Sequence, residues 1–470
     1  MSQEPSDSPV ELPDVQVAPL RERVRGEIVT PSHPAYDETR AIWNAMIDRR
    51  PALIAQCTGT ADVVACVDFA GENDLEIAIR GGGHNVAGKA VTEGGLLIDL
   101  SRMNGVRVDR DARTVRAGGG AELGDVDHET QVFGLATALG AVSQTGIAGL
   151  TLNGGYGHLS REYGLAADNL VSADVVTADG EVLTVSEDSH EDLFWAIRGG
   201  GGNFGVVTSF EYELHEVGPE VYAFFVWFHG DDAEAVFDGF REWADTAPRN
   251  AGALPFLAHV PELDEFPEPS WGEPTVALLG SFRGEIGDAE EVYTPLRESA
   301  TPIADLSGPI PYETLQSMLD EDYPDGLRYY WKSVFLTELT DEVIDIAIRY
   351  NESAPSRLST VDVWHLGGAV ADVPQDATAF WHRDKPFMLT VEANWEDPSE
   401  DDANVEWARG VFDEVASLDV ASGRYGNFPG FAEDPTTMLY GDNYDRLVEV
   451  KTKYDPENVF HLNQNIEPQT

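Results

Sequence analysis

Between residues 80 and 205 the chain carries glycine in runs: RGGGHNVAG at 80–88, GGG at 118–120, GIAGLTLNGGYG at 146–157 and GGGGNFG at 199–205. Glycine loses more conformational freedom on folding than any other residue, so such runs weaken regular elements. Apolar residues are interleaved throughout, which argues against a flexible linker. The pattern calls for tight turns between packed strands, or for backbone that comes close to a bound group.

The segments around these runs have readable periods. TADVVACVDFAGEND (60–74) has a helical apolar rhythm, and LEIAIR (75–80) reads as a buried strand that feeds the first glycine turn. Residues 94–126 alternate short apolar runs with polar breaks and predict consecutive strands. After about residue 216 the texture changes. VYAFFVWFHG, TVALLGSFRG, GLRYYWKSVFL, TVDVWHLGG and PFMLTVEANW predict long aromatic-rich strands. Helical patterns such as DDAEAVFDGFREWADT and ANVEWARGVFDEVASL separate them. The Pro-rich stretch 254–274 predicts irregular surface. The expected class is α+β. The expected divisions are an acidic, Pro-rich disordered lead-in at 1–25, a first domain at 26–215, a second at 216–422, and a segment at 423–470 that returns to the first.

The charge narrows the partners. The 470 residues include 84 Asp and Glu against 30 Lys and Arg, a net charge of −54. Five of those bases are lysines: Lys89, Lys332, Lys385, Lys451 and Lys453. The acids are spread along the chain, which points to a uniformly acidic surface adapted to high salt, where screening removes self-repulsion. In this the chain resembles proteins of halophilic archaea. The same field argues against nucleic acid and against an anionic membrane surface as partners. No apolar stretch approaches the roughly 18 residues of a spanning helix. The N-terminus has neither the basic nor the apolar region of a signal peptide. A small-molecule ligand and a cytoplasmic location are expected; the oligomeric state is left open. Cys57 and Cys66 make neither a disulfide framework nor a zinc site and read as small buried residues.

Six stretches, in order, carry a resemblance: RGGGHNVAG, QTGIAGLTLNGGYGHLSREYGLAADNL, LFWAIRGGGGNFGVVTSFE, AFWHRD, YGNF and YDPENVFHLNQNI. Together they resemble the berberine-bridge-enzyme-like flavoproteins of the vanillyl-alcohol-oxidase superfamily, over roughly residues 30 to 470. The resemblance implies a two-part FAD-binding domain and an α+β substrate domain whose antiparallel sheet is covered by helices. The residues agree with it to a point: glycine N–H groups at Gly81, Gly82 and Gly83 suit a pyrophosphate, and no GxGxxG has the Rossmann context.

His84 alone could be a turn residue, a metal ligand or an attachment point; a metal site needs a second ligand at ligand spacing, and none is near. The resemblance implies a covalent bond from His84 to the flavin 8α-methyl carbon. Relatives add a second bond from a cysteine, whose position here is Val142, so a single histidyl tether is expected. The position that governs oxygen access is Thr145, which leaves open dioxygen or another acceptor. The resemblance also implies FAD contacts at Arg80, Asn85, Gly146, Gly149, Gly154, Gly155, Asn203, Val207, Tyr425, Asn463 and Asn465. Ordinary tight packing is the alternative for the glycines.

For catalysis the resemblance implies hydride transfer to flavin N5 from a CH–OH or CH–NH donor, with Tyr425 of RYGNF as base. A phenol titrates at about 10, so it needs a cation or hydrogen bond to lower it; Arg424 and Lys332 are the candidates. Tyr425 could instead be an aromatic core residue. Glu392 of LTVEANW is a second candidate base, and the strand register decides whether it faces flavin or solvent. Tyr330, Trp331 and Lys332 are expected at the substrate pocket, and His382 and Arg383 at a structural turn. The alternatives to an oxidase are a flavin-dependent dehydrogenase, an oxidative cyclase, or a non-catalytic FAD-fold binding protein.

Overall fold

A computed structural model of the chain describes residues 12–431 and 436–469. The expected lead-in is corrected in part. Residues 1–11 lie outside the described residues, but Asp14–Arg23 form a helix. Its Val17 and Leu20, three residues apart, are fully buried in the cluster that includes Val63 and Cys66 of the helix Thr60–Asn73. That apolar pair outweighs the acidic composition around it.

The first half holds two larger sheets and a two-stranded one. Strands β1 (Glu27–Val29), β2 (Leu53–Gln56), β3 (Ile77–Arg80) and β4 (Leu96–Asp99) lie in the order β1-β2-β4-β3, with β2, β4 and β3 parallel. Successive residues feed opposite clusters: Leu53, Ala55, Leu96 and Ile98 pack under the helix Thr60–Asn73, whereas Ile54, Ala78 and Leu97 pack on the other side. A sheet covered on both faces needs these near-continuous apolar strands. Cys57 and Cys66 are buried thiols in the first of those clusters.

Strands β5 (Val106–Asp109), β6 (Thr114–Gly118), β7 (Leu135–Ala136), β8 (Leu170–Val176), β9 (Val182–Ser186), β10 (Val206–Glu213) and β11 (His215–Glu216) follow. Five of them form an antiparallel sheet, β5-β6-β10-β8-β9, and β7 pairs with β11.

The second half is one antiparallel sheet of nine strands. They are β12 (Glu220–His229), β13 (Ala251–His259), β14 (Pro274–Phe282), β15 (Pro302–Asp305), β16 (Gly308–Pro311), β17 (Arg328–Leu336), β18 (Thr360–His365), β19 (Phe387–Trp395) and β20 (Ala421–Ser422). The order is β15-β12-β14-β13-β18-β19-β17-β20, with β16 on the edge of β12. Helices Ala233–Ala244, Ile286–Arg297, Asp341–Asn351 and Asp401–Ala416 pack their apolar stripes on one face. The other face looks toward the first half, so every residue of β19 is buried.

In this sheet, strands β15, β16 and β20 were not expected, and β13 contradicts an expectation. The start of the stretch read as irregular surface is β13, in the middle of the sheet. Pro255 is tolerated there because β18 pairs only with Phe256 and Leu257.

The C-terminal segment packs on the first half. Helix Tyr444–Tyr454 lies against helix Glu191–Ile197. The buried Lys451 ammonium pairs with Asp455 at 2.5 Å and donates to the carbonyls of Asn203 and Phe460 at 2.8 and 2.9 Å. A buried ammonium is stable only with such a full set of acceptors. Among the described residues no helix is long and apolar enough to cross a membrane.

Candidate active site

The first glycine run turns directly off the buried strand β3. Gly83 sits at φ +77°, where a side chain would be strained. Gly82 lies so close to the second glycine run that an added Cβ would collide with the backbone of Gly146. Two loops, 81–85 and 142–146, are thereby pressed backbone to backbone. Arg80 anchors the first loop from below. Its guanidinium pairs with the buried Asp99 at 2.7 Å and donates to the carbonyls of Thr39 and Ala41. It does not line the cleft, which corrects its assignment as a cofactor contact.

A cleft runs from these loops to the open face of the large sheet and holds about 1600 Å³ of space, counting the part open to solvent. Gly81, Gly82, Gly83, His84 and Asn85 line it from the first loop. Val142, Thr145, Gly146 and Gly149 line it from the second, with Val207 and Asn463 beyond. Four assigned residues are elsewhere. A Cβ on Gly154 would strike the Phe380 ring and one on Gly155 would strike Ala166, so these two glycines serve packing. Asn203 is a clamp: its amide donates to the carbonyls of Gly200 and Gln464 and accepts from the N–H of Ile466. Asn465 does not line the cleft either.

His84 enters the cleft with its ring stacked on Trp43, centroids 4.9 Å apart. Trp43 in turn stacks on Tyr329 at 3.6 Å, which ties the loop to β17. Burial pushes the His84 pKa down to about 4, so the ring is neutral at neutral pH.

The far end of the cleft is built by strand alternation. In β17, Trp331 faces the cleft, whereas Tyr330 and Lys332 face the helices. The Tyr330 hydroxyl accepts from Arg409, and the Lys332 ammonium sits 3.9 Å over the Phe412 ring. Their assignment to the pocket is corrected: three consecutive strand residues cannot share a face. Arg424 also stacks on Phe412, at 4.4 Å.

The cation expected to activate Tyr425 is therefore not supplied by Lys332 or Arg424. The Tyr425 hydroxyl is buried and accepts from Asn427 at 2.9 Å and from the Tyr156 N–H at 3.2 Å. Burial outweighs these bonds and pushes its pKa up to about 12. Glu392 faces the cleft, not solvent, and is 2% exposed. Burial pushes its pKa up to about 7, while the Tyr323 hydroxyl donates to it at 2.8 Å. His382 and Arg383 are structural, Arg383 holding Asp168 in a buried pair at 2.6 Å.

Sequence reasoning missed Trp43, Tyr156, Tyr323, Asp362 and Trp364, which also line the cleft. Asp362 carried a signal: it is an acid in the alternating strand TVDVWH. The others carried none, since they meet the site from distant segments.

The pinched glycine loops, the neutral His84 and the long cleft fit a dinucleotide with its ring system toward the sheet. Comparisons with known proteins agree. Residues 51–186 match the family model described as an FAD binding domain, and residues 424–467 match that described as berberine and berberine like. An FAD-linked oxidoreductase of Bacillus subtilis is 32% identical over 455 residues, covering 95% of this chain and 98% of its own. The (R)-6-hydroxynicotine oxidase of Paenarthrobacter nicotinovorans is 31% identical, covering 95% and 97%. The crystal structure of 6-hydroxy-D-nicotine oxidase from Arthrobacter nicotinovorans superposes with a TM-score of 0.83 at 29% identity, over 95% of this chain and 98% of that one. Fold and cleft thus define an FAD-linked oxidoreductase, an enzyme. Within that class the chain belongs to the berberine-bridge-enzyme-like family.

Proposed function

We propose that this enzyme oxidises a small CH–OH or CH–NH donor by hydride transfer to FAD tethered through His84 alone. The observation that carries the reading is the continuity of the cleft, from the paired glycine loops at one end to the Trp331 and Glu392 face of the sheet at the other. FAD held there supplies a two-electron acceptor beside the donor's carbon.

The chain's own residues support the rest. His84 offers a neutral ring, the form that can attack a carbon centre. Val142 on the facing loop has no thiol for a second bond. Trp331 and Phe428, 5.2 Å apart and edge to face, give the donor an apolar wall. Tyr425, holding its proton, hydrogen-bonds the donor's heteroatom and orients it. Glu392 lines the same cleft and can accept a proton. The burial of the cleft keeps bulk water from the reacting carbon.

Anaerobic mixing with a panel of secondary alcohols, sugars and cyclic amines, followed at the flavin absorbance, tests the proposal. At least one donor bleaches the flavin, and air then restores the colour if dioxygen is the acceptor. A holoenzyme that no donor bleaches overturns it.

A further inference from the structure

The large sheet places a second carboxyl beside Glu392. Strands β18 and β19 pair Thr360 with Glu392 and Asp362 with Thr390. Cross-strand partners share a face, as do residues two apart on one strand, so the four side chains form a square on the cleft side. Asp362 and Glu392 occupy one diagonal, within reach of each other, and both line the cleft. Asp362 is 4% exposed, and its Oδ1 is buried without a hydrogen-bond donor among the described residues. An ionised carboxylate in that state would be strongly unfavourable. A carboxyl that shares its proton with a neighbouring carboxylate is not.

Among the described residues no balancing cation acts on the pair. The groups acting on the pair are Tyr323, Thr360 and Thr390, with Asp322 acting on Tyr323 in turn. From β17 the opposing residue is Trp331, and from β13 it is Phe256. Lys89, which also lines the cleft, interacts with Arg49 and Glu76 at the glycine-loop end. Two acids this close in a dry site cannot both ionise near neutrality. Burial and the Glu392 charge hold Asp362 well above the usual carboxylate range.

We propose that Asp362 and Glu392 are a proton-sharing pair and that this pair, not Tyr425, takes the proton of the donor. The inference rests on the oxidoreductase reading above. With one proton between them, the pair carries one negative charge. The donor's O–H or N–H bond breaks and its proton passes to the ionised carboxyl. The donor's C–H bond breaks with its electron pair going to the bound flavin, the oxidant, and a carbonyl or imine leaves. The pair, now holding two protons, returns one to solvent through the cleft. Tyr323 donates to Oε2 of Glu392 and Thr390 to Oε1, and Tyr323 is a positioning residue that fixes the orientation of the carboxyl.

Infrared difference spectroscopy of the holoenzyme across neutral pH tests the sharing without any donor. Buried acids elsewhere, such as Asp127, give the background common to all variants. The wild type shows a protonated-carboxyl band at neutral pH that is shifted or lost in both Asp362→Asn and Glu392→Gln, because each removes one partner of the shared proton. A band unmoved in either variant means that the acids titrate independently, and the pair is overturned. The donor that bleaches the wild-type flavin fastest then tests the transfer. Flavin reduction slows roughly 100-fold or more in either variant. In Glu392→Gln the midpoint of its pH profile also rises, because no neighbouring carboxyl shares its proton with the ionised Asp362. A slower rate with an unmoved midpoint assigns a structural role only and overturns the transfer. A flavin that no donor bleaches would sink the oxidoreductase reading while leaving the infrared result standing.

Discussion

At the scale of single residues, burial sets the chemistry. His84 has its pKa pushed down to about 4 and Tyr425 up to about 12, both by desolvation. A low histidine pKa makes the ring a neutral nucleophile over the whole physiological range, whereas a high phenol pKa makes a poor base. Two predictions separate these roles. His84→Ala is expected to fold and to bind FAD through the glycine loops, but to release all of it on acid precipitation. Yellow colour in the precipitated variant would exclude His84 as the tether. Tyr425→Phe removes one hydrogen bond to the donor, an effect of about tenfold on flavin reduction. Its pH profile is expected to match the wild type; loss of a titration limb in that variant would make Tyr425 the base after all.

At the scale of elements, strand register decides what the sequence leaves open. LTVEANW shows an acid in an apolar strand, but only the pairing of Glu392 with Trp331 and Thr360 turns it to the cleft. Those partners lie about sixty and thirty residues away, so no local pattern could report them. The contiguous choice of Tyr330, Trp331 and Lys332 failed for a local reason, since a strand alternates its faces. The glycine loops were legible because close backbone approach leaves only one residue type available. Trp43 was not, because its stack on His84 and Tyr329 joins segments far apart in the chain.

Element packing also makes a pH prediction. Asp127, on the helix Leu123–Gln131, accepts from Gln316 on the helix Tyr312–Gln316 at 3.0 Å, bridging the two halves of the chain. Burial pushes its pKa up to about 7. Its stabilising contribution is therefore full below its unfolded pKa of about 4 and is lost as pH rises through about 7. Asp127→Asn keeps the acceptor for Gln316 and removes the titration. Its stability relative to wild type is expected to rise from about pH 4 to pH 7 and then level off, in urea unfolding at stepped pH. A flat difference would mean that Asp127 is ionised in the fold.

At the scale of the whole molecule, the charge is the strongest constraint and was fully legible in the composition. A net −54 repels itself over the entire surface. Many of the arginines are already engaged locally, as in Arg349 with Glu414 and Arg113 with Glu216, and cannot offset an excess of this size. Such exposed pairs contribute only about 0–1 kcal/mol each. The repulsion is a sum of many weak terms, and the range of each is the Debye length, about 10 Å at 0.1 M salt and about 3 Å at 1 M. Raising salt therefore removes the long-range part of the repulsion while leaving the buried pairs Lys451–Asp455 and Arg383–Asp168 intact. The melting temperature is expected to climb steeply between about 0.1 and 1 M potassium chloride and then more slowly, as the residual apolar and hydration effects take over. Because screening acts on the unfolded chain as well, the test needs a control. Reversing a group of exposed acids to lysine, among them Asp111, Glu187 and Glu262, should flatten the salt dependence in proportion to the charge removed. A steep dependence that survives the reversal would place its origin in ion binding at particular sites and not in the overall field.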